Sequence, residues 1–133
     1  TFNDHTYALT SAAMTWSDAA AAAASLGGYL ATLNTKAENV WIWNQFETQV
    51  WIGANDRDTE NTWVWDNGTT SDDGGISDNI SVGAKWPDGT VKWNTGEPNN
   101  GGSGENCTVI RDSSGVWNDL PCSLSRYAII EFD

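Results

Sequence analysis

Apolar positions keep a helical rhythm early in the chain and run as short extended stretches later. Thr6 to Leu9 is a brief run suited to an edge strand. Thr15-Trp16-Ser17-Asp18 then opens an alanine-rich run, Ala19 to Ala24. Thr15 has the side chain of an N-cap, and Asp18 places negative charge in the first turn. Alanine is the best helix former and its small side chain permits close packing, so this run reads as a helix rather than as low complexity. Gly27-Gly28 stops it. Tyr29 to Leu33 is a short extended link, and Thr35-Lys36-Ala37-Glu38 is a capping-box pattern that starts a second helix. Val40, Trp43 and Phe46 recur on one face of that helix, while Trp41 falls off it.

Beyond Phe46 the pattern changes. Val50 to Ala54 and Thr62 to Trp65 read as strands, the second closed by the turn residues Asp66-Asn67-Gly68. Residues 66 to 106 are rich in Gly, Asn, Asp, Ser and Thr, interrupted by Trp86 and by Val91-Lys92-Trp93. A loop of that length inside a compact domain is a functional one or a disordered one, and its tryptophans argue for order. Cys107 to Ile110, Gly115 to Trp117 and Tyr127 to Phe132 complete the strands. Two early helices followed by strands around a polar loop predict an α+β fold with an antiparallel sheet. With 133 residues and no internal repeat, the chain is one domain spanning 1–133.

Composition narrows the function. The net charge is −12, from 18 acidic and 6 basic residues, which disfavours nucleic acid and anionic membranes as partners. No apolar stretch is long enough to span a bilayer, and a start at Thr1 reads as a mature protein or an excised module. Acidic excess is either a solvated surface or a supply of oxygen ligands for a divalent cation. Cys107 and Cys122 lack the spacing of a zinc or thioredoxin-like motif. They are either two buried thiols or a disulfide that closes a short loop in an oxidising compartment, worth about 3 kcal/mol. Of the tryptophans, Trp51, Trp63, Trp65 and Trp117 sit in strand patterns and read as core; His5 reads as surface or edge packing.

Oxygen ligands concentrate in Glu97-Pro98-Asn99-Asn100-Gly101-Gly102-Ser103-Gly104-Glu105-Asn106-Cys107, with Trp117-Asn118-Asp119 as a second source. Calcium takes six to eight such oxygens, from carboxylates and carbonyls together. Either segment alone is an ordinary polar turn, and the combination is far more specific.

These segments resemble the C-type lectin family. The resemblance extends along nearly the whole chain: Thr15-Trp16-Ser17-Asp18-Ala19-Ala20, Leu26 to Leu33, Trp51-Ile52-Gly53-Ala54, Glu97-Pro98-Asn99, Gly104-Glu105-Asn106-Cys107 and Trp117 to Cys122. It implies a C-type lectin fold with two helices, antiparallel sheets and a long calcium-binding loop. It further implies a Ca²⁺ held by Glu97, Asn99, Glu105, Asn118 and Asp119, with a cis peptide bond before Pro98. Glu97, Asn99, Glu105 and Asn118 would also contact the sugar, and Cys107 would pair with Cys122. Glu-Pro-Asn goes in the family with mannose, fucose and glucose-type glycans, Gln-Pro-Asp with galactose. An auxiliary metal site would draw on Asp56, Glu60, Asn100 and Asn106, weakened because Asn100 and Asn106 stand where acids often occur. The expected role is calcium-dependent adhesion or recognition at an extracellular or cell-surface location, as part of a larger adhesin.

Ala23 and Ile130 occupy the positions of a second family disulfide, which points to a bacterial or otherwise divergent member in which packing replaces the bond. Thr69 to Asp88 is longer than in compact relatives, and Asp72, Asp73 and Asp78 read as its acidic surface. Two other functions compete. Glu97 and Glu105 are a carboxylate pair of the kind that hydrolyses glycosides, but they serve better as metal ligands and nothing supplies a nucleophile and base, so no enzyme is expected. The alternative is a lectin-like module that binds protein or ice without sugar specificity.

Overall fold

A computed structural model describes residues 5–33, 35–46, 48–57, 63–66, 85–86, 88–93, 105–110 and 115–132. Strand β1 (Thr6–Leu9) leads into helix α1 (Trp16–Ser25), whose N-cap hydroxyl on Thr15 accepts the Asp18 N–H at 3.2 Å. The helix ends where Gly27 takes φ 86°, and the Gly28 N–H then bonds the Ala23 carbonyl. Trp16, Ala19 and Ala23 form its buried face, and the two alanines let the helix sit close to the sheet. After the two-residue strand β2 (Tyr29–Leu30), α2 spans Lys36–Phe46, with the Thr35 hydroxyl accepting the Glu38 N–H at 3.1 Å.

The inner face of α2 differs from the apolar stripe its spacing suggests. Glu38, Asn39 and Ile42 are buried, whereas Val40 is 44 % exposed. Glu38 accepts a hydrogen bond from the Tyr7 hydroxyl and Asn39 bonds to the far side of the domain. Trp43 and Phe46 of the predicted stripe do pack partly buried against the core, as does Trp41, so apolar contacts and tertiary hydrogen bonds together set the rotation of this helix. Burial, reinforced by the Glu38 hydrogen bond, pushes the Tyr7 phenol far above its ordinary range.

Strands β3 (Val50–Asn55), β4 (Cys107–Ile110), β5 (Trp117–Leu120) and β6 (Tyr127–Phe132) complete the sheet, in the order β1-β6-β3-β4-β5. The sheet is mixed rather than antiparallel throughout. β3 runs parallel to β6, pairing Val50 with Tyr127 and Trp51 with Ala128, while β2 pairs antiparallel with the other end of β6. A long connection between β3 and β6 makes a parallel pairing possible where a hairpin could not. The second apolar run around Trp63 contributes one bridge, Asn55 to Val64, and β5 starts at Trp117 rather than Gly115. A register shift in β3 lies between Ile52 and Asn55 and includes Gly53. A side chain on Gly53 would come within 2.7 Å of the Leu30 carbonyl, so only glycine fits there.

Two clusters of buried side chains flank the sheet. One gathers Trp63, Trp65, Trp86, Trp93 and Trp117 with Ile42 and Ile52; the other gathers Trp16, Ala23, Trp51, Val109 and Ile130. Ala23 and Ile130, at the positions where the resemblance implies a second disulfide, are both buried in the second cluster. His5 is half-buried, with Nδ1 2.6 Å from the fully buried Glu131 carboxylate.

Asp66 offers a direct test of these electrostatics. Its Oδ2 accepts the Leu30 N–H at 2.9 Å, yet burial raises its pKa, against the lowering effects of that bond and of Arg57. A folded-state pKa above the unfolded value means the ionised form opposes folding; the penalty is absent at low pH and grows as pH rises through the carboxylate range. Asp66→Asn keeps an acceptor for Leu30 and removes the charge. It should melt higher than wild type at pH 7, with the gap closing towards pH 3; a gap that widens in acid would contradict this.

Candidate metal centre

Strand β5 carries two of the predicted ligands. Its register with β4 sets Asn118 against Val109 and Asp119 against Thr108. Asp119 is fully buried, Asn118 is half-buried, and consecutive strand residues face opposite sides of the sheet. β5 ends the path of paired strands, and its outer side meets segment 91–93 at Trp117. The Cys107–Cys122 disulfide ties the start of β4 to the chain just past β5, with Cα atoms 5.2 Å apart. Glu105 and Asn106, both half-buried, immediately precede that cysteine. The Asn106 carbonyl accepts the Asp56 N–H at 3.0 Å, which brings two of the predicted auxiliary ligands side by side. Glu60, Glu97, Asn99 and Asn100 lie outside the described residues, as do Asp72, Asp73 and Asp78.

Among the described residues, side-chain oxygens here lack the partner that buried acceptors normally have: Asn118 Oδ1 and Asn106 Oδ1 are shielded from solvent and meet no hydrogen-bond donor. Leaving a buried acceptor unsatisfied costs about 1–3 kcal/mol. A hard cation is a natural partner for an amide oxygen next to carboxylates, so these residues fit a calcium ion. Among the described residues, no three His, Cys, Asp or Glu side chains are gathered closely enough to hold a metal on their own.

The strand is aligned from two further directions. Segment 91–93 meets β5 through a parallel bridge between Trp93 and Trp117, and the Trp117 N–H donates to the Lys92 carbonyl at 2.8 Å. Lys92 itself is buried, its Nζ 4.4 Å above the Trp86 ring. From α2, Asn39 Nδ2 donates to the Gly115 carbonyl at 2.8 Å, and Asn39 Oδ1 accepts from Trp117 Nε1 at 2.9 Å. Sequence reasoning missed Asn39 and Lys92. The signal for Asn39 was a polar residue three positions ahead of Ile42, on the face that α2 buries.

A family model described as "Lectin C-type domain" matches residues 12–132. Echinoidin from Heliocidaris crassispina is 30 % identical over 112 residues, covering 77 % of this chain and 65 % of that protein. The chain thus spans just under two thirds of the length of this relative. The carbohydrate-recognition domain of the mouse scavenger receptor C-type lectin superposes with a TM-score of 0.79 at 25 % identity, covering all of this chain and 93 % of that one. The cow C-type carbohydrate-recognition domain of CD23, solved in the presence of a GlcNAc2Man3 oligosaccharide, gives 0.79 at 26 % identity, covering 98 % and 89 %.

Proposed function

Because this chain belongs to the C-type lectin domain family, we propose that it binds mannose, fucose or glucose-type glycans through a Ca²⁺ held by Glu97, Asn99, Glu105, Asn118 and Asp119. The observation that carries this reading is the shielded, donor-less Oδ1 of Asn118 beside the buried Asp119.

Calcium bound there supplies open coordination positions for two vicinal hydroxyls. The chain's own groups set their order: carboxylates of Glu97 and Glu105 accept from the hydroxyls, and the amides of Asn99 and Asn118 donate to them. The cow CD23 domain, solved with a mannose-containing oligosaccharide, lends support to this sugar class. Asp56 and Asn106, with Glu60 and Asn100, are the proposed auxiliary ligands. The disulfide and the kinship with lectin domains support an extracellular or cell-surface location; a place within a larger adhesin, from a bacterial or otherwise divergent source, is part of the same proposal. Homology is to binding domains rather than to enzymes.

A second reading is an interaction module that recognises protein or ice without sugar specificity. It is favoured by the absence of a metal-holding cluster among the described residues. A glycan array run with calcium and with chelator separates the two: binding of mannose-class glycans that chelator removes supports the lectin reading, and no glycan binding, or binding indifferent to chelator, supports the second. Glu97→Gln combined with Asn99→Asp should shift the preference towards galactose, and an unchanged mannose-to-galactose ratio would refute the assigned roles.

A further inference from the structure

The ligand-bearing strand is held from behind by one side chain on the second helix. Asn39 is only 5 % exposed and sits on the inner face of α2. Its amide is divided between two partners that bracket the start of β5: Nδ2 donates to the Gly115 carbonyl at 2.8 Å and Oδ1 accepts from Trp117 Nε1 at 2.9 Å. Both partners are in place for reasons visible nearby. Gly115 has φ +73°, which favours glycine, and a Cβ there would lie 3.3 Å from Asn39 Nδ2 and 3.5 Å from the Trp43 Cβ. The Trp117 ring is fully buried and edge-on to Trp65, Trp86 and Trp93. The next two residues are Asn118 and Asp119.

We infer that Asn39 is a positioning residue for the cation and sugar site, acting through Gly115 and Trp117 to fix the height and rotation of β5 beneath Asn118 and Asp119. The inference rests on the calcium-dependent reading above. A side chain that both donates and accepts cannot be replaced by a hydrophobic one of equal size without leaving two buried groups unpaired. The two bonds also act at different points. The one to Gly115 holds the backbone before the strand, and the one to Trp117 holds the ring, so together they resist both sliding and twisting of β5. Ligands presented this way meet the ion already in place, and less ordering cost falls on binding.

The test separates positioning from simple stabilisation. Asn39→Leu removes both bonds; Asn39→Asp keeps the acceptor for Trp117 Nε1 and loses only the donor to Gly115, so it still reports if the leucine variant fails to fold. Each is measured by calcium calorimetry at a temperature where the calcium-free protein is fully folded, and by hydrogen exchange of the Trp117, Asn118 and Asp119 amides in chelator. The calcium Kd should rise about tenfold in Asn39→Leu, the lower end of what outer partners of metal ligands are worth, and by less in Asn39→Asp. Exchange at the three amides should quicken in calcium-free protein in the same order. A lower melting temperature with unchanged calcium Kd and unchanged exchange at those amides would reduce Asn39 to a structural residue and overturn the inference, leaving the function intact. Wild-type protein that binds no calcium would overturn the functional reading, and this inference with it.

Discussion

Asn118→Ala should lose calcium binding in calorimetry yet melt no lower than wild type in chelator. The two halves of this expectation have one cause. Among the described residues the Asn118 Oδ1 is shielded and meets no donor, and an acceptor left so without an ion beside it costs about 1–3 kcal/mol. Removing the side chain relieves that cost and at the same time deletes a ligand. Most truncations at half-buried positions destabilise, so a gain, or even no change, would mark this position as held for binding rather than for folding. Asp119→Ala should lose calcium at least as completely: outer partners of metal ligands are worth about 10–100-fold in affinity, and the loss of a carboxylate ligand exceeds that. The experiment is a calcium titration paired with melting curves in chelator and in excess calcium. Wild type should gain thermal stability from calcium by mass action, and both variants should gain none. Unchanged calcium affinity in Asn118→Ala would remove the central ligand assignment. Lowered stability in chelator would show that the oxygen is satisfied from within the protein.

How far the sequence speaks depends on what sort of contact makes each feature. Local chemistry was legible: Thr15 caps α1 as its type suggests, Gly27 ends it at positive φ, and the runs at Val50, Cys107 and Tyr127 are strands. These follow from propensity and periodicity, which act within a few residues. Long-range polar contacts were not legible. The parallel pairing of β3 with β6 joins strands separated by the whole polar loop and by β4 and β5, and no short-range pattern encodes it. The inner face of α2 was legible only in part: Trp43 and Phe46 pack on the core as their spacing suggests, whereas Asn39 and Glu38 are buried with hydrogen bonds to residues 115 and 7, which periodicity of apolar residues cannot register. At the candidate site, Asn118, Asp119 and the disulfide were readable as residue types in a motif, and the structure adds their register and the unsatisfied Asn118 oxygen.

Glu131→Leu should destabilise the domain by about 3–5 kcal/mol, a large share of the stability of a domain this size. Alternation in β6 puts Glu131 on the same side as Ile129, which is fully buried, and Glu131 is likewise inaccessible to water. Donors converge on its carboxyl group. Oε1 accepts from the Thr32 N–H at 2.9 Å and from the Thr32 hydroxyl at 3.2 Å; Oε2 accepts from the Tyr29 hydroxyl at 3.1 Å and lies 2.6 Å from His5 Nδ1. One carboxylate therefore joins the entrance to β1, the strand β2 and the link after it to β6. Leucine would fill the volume but strip these donors of their acceptor, and the cost of stranding several buried donors outweighs the desolvation saved by removing one carboxyl group. Thr32→Val removes one donor and leaves the carboxylate its other partners, so its cost should be near 1 kcal/mol. Urea unfolding of the three proteins in chelator reads these differences free of any metal contribution. Calcium affinity, extrapolated to fully folded protein, should be equal in all three, because Glu131 lies on β6, two strands away from β4, and its partners among the described residues are Tyr29, Thr32 and His5. A Glu131→Leu protein as stable as wild type would show that the carboxylate network is replaceable by packing. A loss of calcium affinity in the folded variant would mean that the two ends of the sheet are coupled.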